Sequence, residues 1–205
     1  MSRSPDLRDR LRATTRECIV GAAADEVRHR GVAQLTNAAI AARAGVAERT
    51  VYRHFATRAQ LMSAVAAEVS RRLATPPVPD HPAALADYAD ELFACFEAQP
   101  ELTREALQSE LFAHVRDSKA AERWRALRAL IDRHWPALPA ERRALAAANL
   151  RFVLAASCWD YHRTSLAMDA STATAAVRHL VACVLAALGP ASAGHQEGDA
   201  RRRRR

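Results

Sequence analysis

The densest run of hydrogen-bonding side chains in this 205-residue sequence lies between Gly45 and Arg58. A helix from about Glu48 to Phe55 would turn Val51 and Phe55 to one side. Glu48, Arg49, Thr50, Tyr52, Arg53 and His54 would then face outward. That set combines guanidinium donors, hydroxyls and flat rings, which reach phosphates and base edges. Arginine pairs with guanine, and threonine meets the thymine methyl. Thr36, Asn37 and Arg58 flank the run and add a hydroxyl, an amide and a further cation. Nothing nearby suggests covalent chemistry. The chain has no GxSxG elbow, no phosphate-cradling P-loop, no GxGxxG turn after a strand and no HExxH zinc pair. An enzyme is therefore the class the sequence supports least.

Elsewhere the candidate chemistry is thinner. Glu110 and His114 are four apart and would share a helical face, but two ligands are too few for a metal site, and neither metal nor cofactor is expected. His162 is the third polar candidate for a ligand pocket. Phe93, Phe96, Leu107, Phe112, Trp124, Leu127, Cys158 and Tyr161 are its apolar candidates, and they favour a hydrophobic or aromatic ligand. The four cysteines form no CxxC pair and read as small buried hydrophobes.

The elements that must position these residues are helices. Alanine is plentiful, only six glycines occur, and paired turn signals are scarce. The first helix starts either at Ser4-Pro5 or at the capping box Thr14 to Glu17. Leu11, Cys18, Ile19, Ala22, Ala23 and Val27 follow at helical spacing, and Gly31 ends it. Thr36 caps a short helix through Ala44, Gly45 turns the chain, and the run above follows. This is the pattern of a helix-turn-helix. Ala38, Ala39 and Ala42 are small enough for close approach, while Ile40, Val46, Val51 and Phe55 would lock the pair to the first helix. Thr57 caps a longer helix with an apolar line at Leu61, Val65, Val69 and Leu73. Four prolines between Pro76 and Pro82 break the chain. Further helices are expected at about 83–98, 101–116, 118–134, 140–167 and 171–188, some nine in all, with a break at Asp117-Ser118.

With these elements in place, residues from about Thr15 to Leu61, a quarter of the chain, resemble the DNA-binding domain of the TetR (tetracycline-repressor-like) family. The resemblance rests on Ala22-Ala23, Gly31, Thr36, Ile40, Ala41, Ala44-Gly45-Val46, the run Thr50 to Phe55, Thr57-Arg58 and Leu61. It implies an all-α chain with a three-helix reader at 1–58, a connecting helix at 57–74 and an effector-binding, dimer-forming body at 75–190. It implies that Thr36, Tyr52, His54 and Arg58 meet phosphates, while Glu48, Arg49 and Thr50 face bases or the backbone. Two positions depart from the family. Ala47 stands where a serine cap is usual, and Arg58 where lysine is.

Leu145, Phe152, Ala156 and Trp159 on one late helix and Val177, Leu180, Val184 and Leu188 on another give apolar faces. Two such helices from each of two copies would close a four-helix bundle. Packing within one subunit is the alternative.

Charge is unevenly spread. Residues 1–58 hold eleven arginines against six acids, residues 201–205 are all arginine, and the chain nets +7, which leaves 59–200 mildly acidic at −3. A basic leading segment suits a polyanion. A general arginine bias would also explain it, since Lys119 is the only lysine. The terminal arginines read equally as a nucleic-acid tail, taken as disordered from 191 on, or as a coding accident. No apolar run resembles a signal peptide or a membrane span, so a cytoplasmic protein is expected. The expected function is a dimeric regulator, a repressor by family habit, on an inverted-repeat operator in double-stranded DNA. A small molecule would release it. The rivals are a ligand-binding or interaction module without an operator, and a non-specific DNA-coating protein.

Overall fold

The computed structural model describes residues 6–109 and 113–191, apart from the side chains of His114, Val115 and Ser118. The described residues form ten α-helices and no strand. They fall into two compact units. One runs up to Ala74 and includes Ala98–Ser118; the other comprises Thr75–Glu97 and the chain from Lys119 onward.

In the first unit, α1 spans Leu7–Arg30. Asp6 caps it by accepting from the Leu7 amide at 2.6 Å. Thr14, expected as a possible cap, lies inside the helix and donates its hydroxyl to the Arg10 carbonyl. An aspartate at the first free amides outcompetes a threonine further along, because it also complements the helix dipole. The other start signal, Ser4-Pro5, lies outside the described residues. Only the second half of α1 is anchored. Ile19, Ala23 and Val27 are buried, whereas Leu11 and Cys18 are exposed, contrary to the expectation for both. Exposed Cys183 departs from that expectation too.

A 3₁₀ turn at Val32–Gln34, absent from the sequence reading, leads to α2 (Asn37–Ala44). Then come α3 (Glu48–His54) and α4 (Arg58–Leu73). Ile40, Val51, Phe55, Leu61, Val65 and Val69 close one core against α1, with Val46 and Leu73 partly buried at its edge. Ala41 makes the close approach in α2, while Ala38 and Ala42 are exposed. A part-buried ion pair fixes α2 to α1: Arg43 Nε lies 2.5 Å from Oε1 of the buried Glu26, which is 4% exposed.

Helix α6 (Pro100–Gln108) completes this unit, contributing Leu102 to its core. Its Glu105 accepts from the Val32 amide at 2.8 Å. Gln99, just before α6, donates to the Arg72 carbonyl at 2.9 Å. Arg72 itself reaches Asp25 at 2.6 Å and Glu68 at 2.8 Å, so α1, α4 and the start of α6 meet at one residue.

The second unit contains α5 (Leu85–Ala98), α8 (Ala140–Val153), α9 (Ala156–Asp160) and α10 (Ala170–Leu188), with most of α7 (Ala113–His134). Two expected boundaries move. The break expected at Asp117-Ser118 falls earlier, and α7 runs straight through that pair. Arg116 explains the register: its Nη1 donates to the carbonyls of Ala106 and Leu107, tying the end of α6 to α7. The single helix expected at 140–167 is interrupted at Leu154-Ala155, where Ala155 is extended, and its last stretch is a π-helical turn at Tyr161–Ser165. Leu85, Leu92, Phe93, Leu127, Leu150 and Trp159 anchor the core. Helix α10 is capped by Asp169, which accepts from Thr172 N at 2.8 Å. By length and composition alone it is apolar enough to cross a membrane. Here it packs beside α8 in this core, and Arg178 pairs with Asp90 of α5.

Candidate nucleic-acid interface

The turn between α2 and α3 sets the interface. Gly45 is left-handed (φ 66°, ψ 29°), a conformation glycine adopts without side-chain strain. Its amide donates to Ala42, and the Val46 amide to Ala41 at 3.0 Å. These two bonds satisfy the last carbonyls of α2 and aim α3 away from it. Thr36 caps α2 through Ala39 N at 3.1 Å, and Thr57 caps α4 through Gln60 N at 3.2 Å. Ala47 caps nothing with its side chain, and instead its carbonyl accepts from Thr50 N at 2.8 Å.

With Val51 and Phe55 buried, α3 presents Glu48, Arg49, Tyr52 and Arg53 exposed, with Thr50 and His54 half-buried beside them. Tyr52 is 56% exposed, unusual for an aromatic side chain whose neighbour Val51 is in the core. Thr36 is exposed, and Asn37 is half-buried with its Oδ1 buried and unpartnered. Arg58 is less free than the sequence suggests, since its Nη2 donates to the Leu35 carbonyl at 3.2 Å.

Three residues that sequence reasoning passed over join this face. Arg8, Arg12 and Arg16 recur every four residues on the exposed half of α1, a spacing that was available as a signal. Arg8 and Arg12 line a groove of about 600 Å³ with Arg53 and His54. Arg16 lies over the Phe55 ring, 4.9 Å from its centroid. Burial, then the charges of Arg53, Arg12 and Arg16, push the His54 imidazole below its ordinary pKa. Asp6 and Asp9 line the same groove, so with Arg16 counted the charge around the imidazole is positive on balance, which favours an anion.

The other candidate residues are placed differently. Phe93, Phe96, Leu127 and Cys158 are packed into the core of the second unit. His162 is buried, and its Nδ1 hydrogen-bonds to the Cys158 carbonyl at 2.7 Å within its own turn. Trp124 and Tyr161 are exposed, and Leu107 is half-buried in the first unit. Glu110, Phe112 and the side chain of His114 lie outside the described residues, as do Arg201–Arg205. Among the described residues no group of three metal-ligating side chains comes together. Of the apolar residues on α8 to α10, Leu145, Phe152 and Leu180 stand exposed. Val184 and Ala156 are half-buried. Trp159, Val177 and Leu188 are buried in the core of the second unit instead of lying on an open face. The Trp159 indole donates to Glu97 at 2.7 Å, which fixes it there.

Residues 19–65 match the family model for bacterial regulatory proteins of the tetR family. No curated protein matches the chain in sequence. Several solved structures are similar in fold. A tetR-family transcriptional regulator from Streptomyces coelicolor superposes with a TM-score of 0.63 at 18% identity, covering 86% of this chain and 82% of that one. NalD from Pseudomonas aeruginosa, the secondary repressor of the MexAB-OprM multidrug efflux pump, gives 0.58 at 20% identity over 85% and 96%. A TetR from Acinetobacter baumannii in complex with minocycline gives 0.51 at 17% identity over 83% and 94%.

Proposed function

We propose that this chain is a DNA-binding transcriptional regulator, a dimeric repressor in the cytoplasm that binds an inverted-repeat operator and is released by a small molecule; the match of residues 19–65 to the tetR family model and the shared fold support this. The observation that carries the reading is the divided face of α3. Val51 is in the core, and around it stand Arg49, Tyr52, Arg53 and His54, open to a polyanion. Tyr52, His54, Thr36 and Arg58 hold phosphates and fix register. Glu48, Arg49 and Thr50, with Arg53 and Asn37 beside them, meet base edges or the adjacent backbone. Arg12 and Arg16 extend the phosphate track along α1.

Residues 1–58 are the reader, α4 is the connector, and 75–190 form the effector-binding and dimerising body. Two copies pair through the exposed apolar edge of α8 and α10, at Leu145, Phe152, Leu180 and Val184, which places two α3 helices in successive major grooves about 34–36 Å apart. NalD represses an efflux pump and the A. baumannii protein holds minocycline. By the same arrangement, a mainly hydrophobic or aromatic effector here favours one spacing of the readers and so releases DNA. It can do so only by binding that state more tightly.

Selection from random duplex DNA tests this reading. An inverted repeat should emerge. Tyr52→Ala and His54→Ala should each weaken binding to every sequence alike. Enrichment of no motif, or full affinity in both variants, contradicts it.

A further inference from the structure

Helix α10 is long and apolar, yet only 22% of its apolar span is buried within one copy. Ala175, His179, Ala182, Cys183 and Ala186 recur at helical spacing along its open side, and all five are exposed. His179 and Cys183 are one turn apart, with Cys183 Sγ 3.6 Å from His179 Nε2. Among the described residues neither has another partner. Arg178, the charged residue beside them, is committed to Asp90 and Asp87. Cys183 also lines a groove of about 290 Å³ with Leu145, Asn149 and Val184. The thiol therefore borders the edge of α8 and α10 through which two copies are proposed to pair.

Cys158 and His162 show what a purely structural pair looks like. They are also four apart, with Sγ and Nδ1 separated by 3.6 Å. Both are buried, however, and that nitrogen is bound to the Cys158 carbonyl at 2.7 Å. No carbonyl claims His179 Nε2 in this way. A tetrahedral zinc ion, with Zn–S of about 2.3 Å and Zn–N of about 2.0–2.1 Å, holds its sulfur and nitrogen about 3.6 Å apart. The exposed pair thus has the bite of a zinc chelate: replacing the thiol proton by the metal leaves both atoms where they are. Thiolate and imidazole suit zinc, whereas magnesium and calcium take oxygen ligands. Two ligands are too few to hold the ion, and among the described residues no third joins them in one copy. A two-fold axis doubles them, because both copies present the same patch. The alanines on either side are small enough for two α10 helices to approach closely.

We propose that His179 and Cys183 of two copies together form one zinc site, of two imidazoles and two thiolates, on the axis of the dimer. Each thiol releases its proton to the solvent as the sulfur takes the ion. Facing helices of a bundle supply such ligand sets. The inference rests on the reading that α8 and α10 pair two copies, and it makes that pairing respond to metal.

The test uses the full chain, kept reduced by a phosphine. Sedimentation velocity in a chelator gives the dimer dissociation constant without metal, and zinc chloride should lower it at least tenfold. Cobalt chloride in place of zinc should give a thiolate-to-cobalt charge-transfer band and the intense visible bands of tetrahedral cobalt. Both should saturate at one ion per two chains. Cys183→Ser should abolish the charge-transfer band, and His179→Ala should weaken cobalt binding at least tenfold. Circular dichroism should show unchanged helix content in both variants, since both side chains are exposed. Cys18→Ser, which removes the exposed thiol of α1, should keep the band. A band that survives Cys183→Ser, saturation at one ion per chain, or a dissociation constant that ignores zinc overturns the proposal. A chain that dimerises in chelator and gives no band loses the zinc site and keeps the dimer. A chain that stays monomeric with and without zinc loses both.

Discussion

Among the described residues Phe152 is the most exposed of the large apolar side chains, at 70% of its surface, and Leu145 one helical heptad before it is 60% exposed. A phenylalanine side chain offers about 200 Å², so about 140 Å² of Phe152 faces outward in a single subunit. At about 25 cal/mol per Å² its full burial is worth roughly 3.5 kcal/mol, of which an alanine retains a small part. A two-fold interface uses the residue twice, which doubles the loss to about 6 kcal/mol. Association realises only a fraction of such area, because ordering and desolvation oppose it. Half of the sum, about 3 kcal/mol, is a hundredfold in dissociation constant. Phe152→Ala should therefore shift the proposed dimer toward monomers of 22.4 kDa by at least that factor, read by sedimentation velocity across a dilution series. Because Phe152 packs against little in its own subunit, helix content by circular dichroism should not change. A wild-type chain that sediments as a monomer, or a variant whose dimerisation is unaltered, refutes the reasoning.

Four further outcomes follow from the described geometry. Ala47→Ser should add the missing side-chain cap of α3 and raise stability by about 0.5 kcal/mol, less than a full cap because Thr50 N already bonds to the Ala47 carbonyl; a lowered melting temperature would count against it. Arg43→Met should strip Glu26 of its close partner and cost about 3 kcal/mol by denaturant melts, since a carboxylate 4% exposed is left with only Arg30 at 3.6 Å; a loss under 1 kcal/mol would show that Arg30 compensates. The folded pKa of His54 is lowered, so its contribution to stability is present above the ordinary 6.5 and is lost as pH falls through the folded value. Burial lowers it first and the arginine charges second; DNA phosphates would offset the arginine charges, so operator affinity should rise as pH drops through the range near 6.5, and His54→Gln should flatten that slope in fluorescence anisotropy; an unchanged slope rejects the role of His54.

Local chemistry was readable where one or two residues decide the backbone. Thr36, Gly45 and Thr57 mark the helix-turn-helix because capping and left-handed turns depend on side chains within three residues. The boundaries near 112 and 155 were not readable. Arg116 sets the first by reaching carbonyls up to ten residues away, and no glycine or proline announces the second. The arginine track on α1 was missed because its meaning depends on Arg53 and His54, distant in sequence and brought near by packing. Trp159 and Val177 illustrate the reverse error. An apolar stripe has two edges, and the helical period does not say which edge faces its own core and which stays open.

The sparse anchoring of α3 bears on how such a protein changes its targets. Of the seven residues Glu48–His54 only Val51 is buried, and the next anchor, Phe55, lies just beyond the helix. Glu48, Arg49 and Arg53 are exposed and Thr50 is half-buried, and none of these side chains belongs to the core. Substitution at these four positions leaves the hydrophobic contacts of the unit in place, so in the proposed regulator recognition can drift, or be redesigned in a four-position library, without a matching loss of stability. In that reading, folding and address are encoded by different residues of the same two turns.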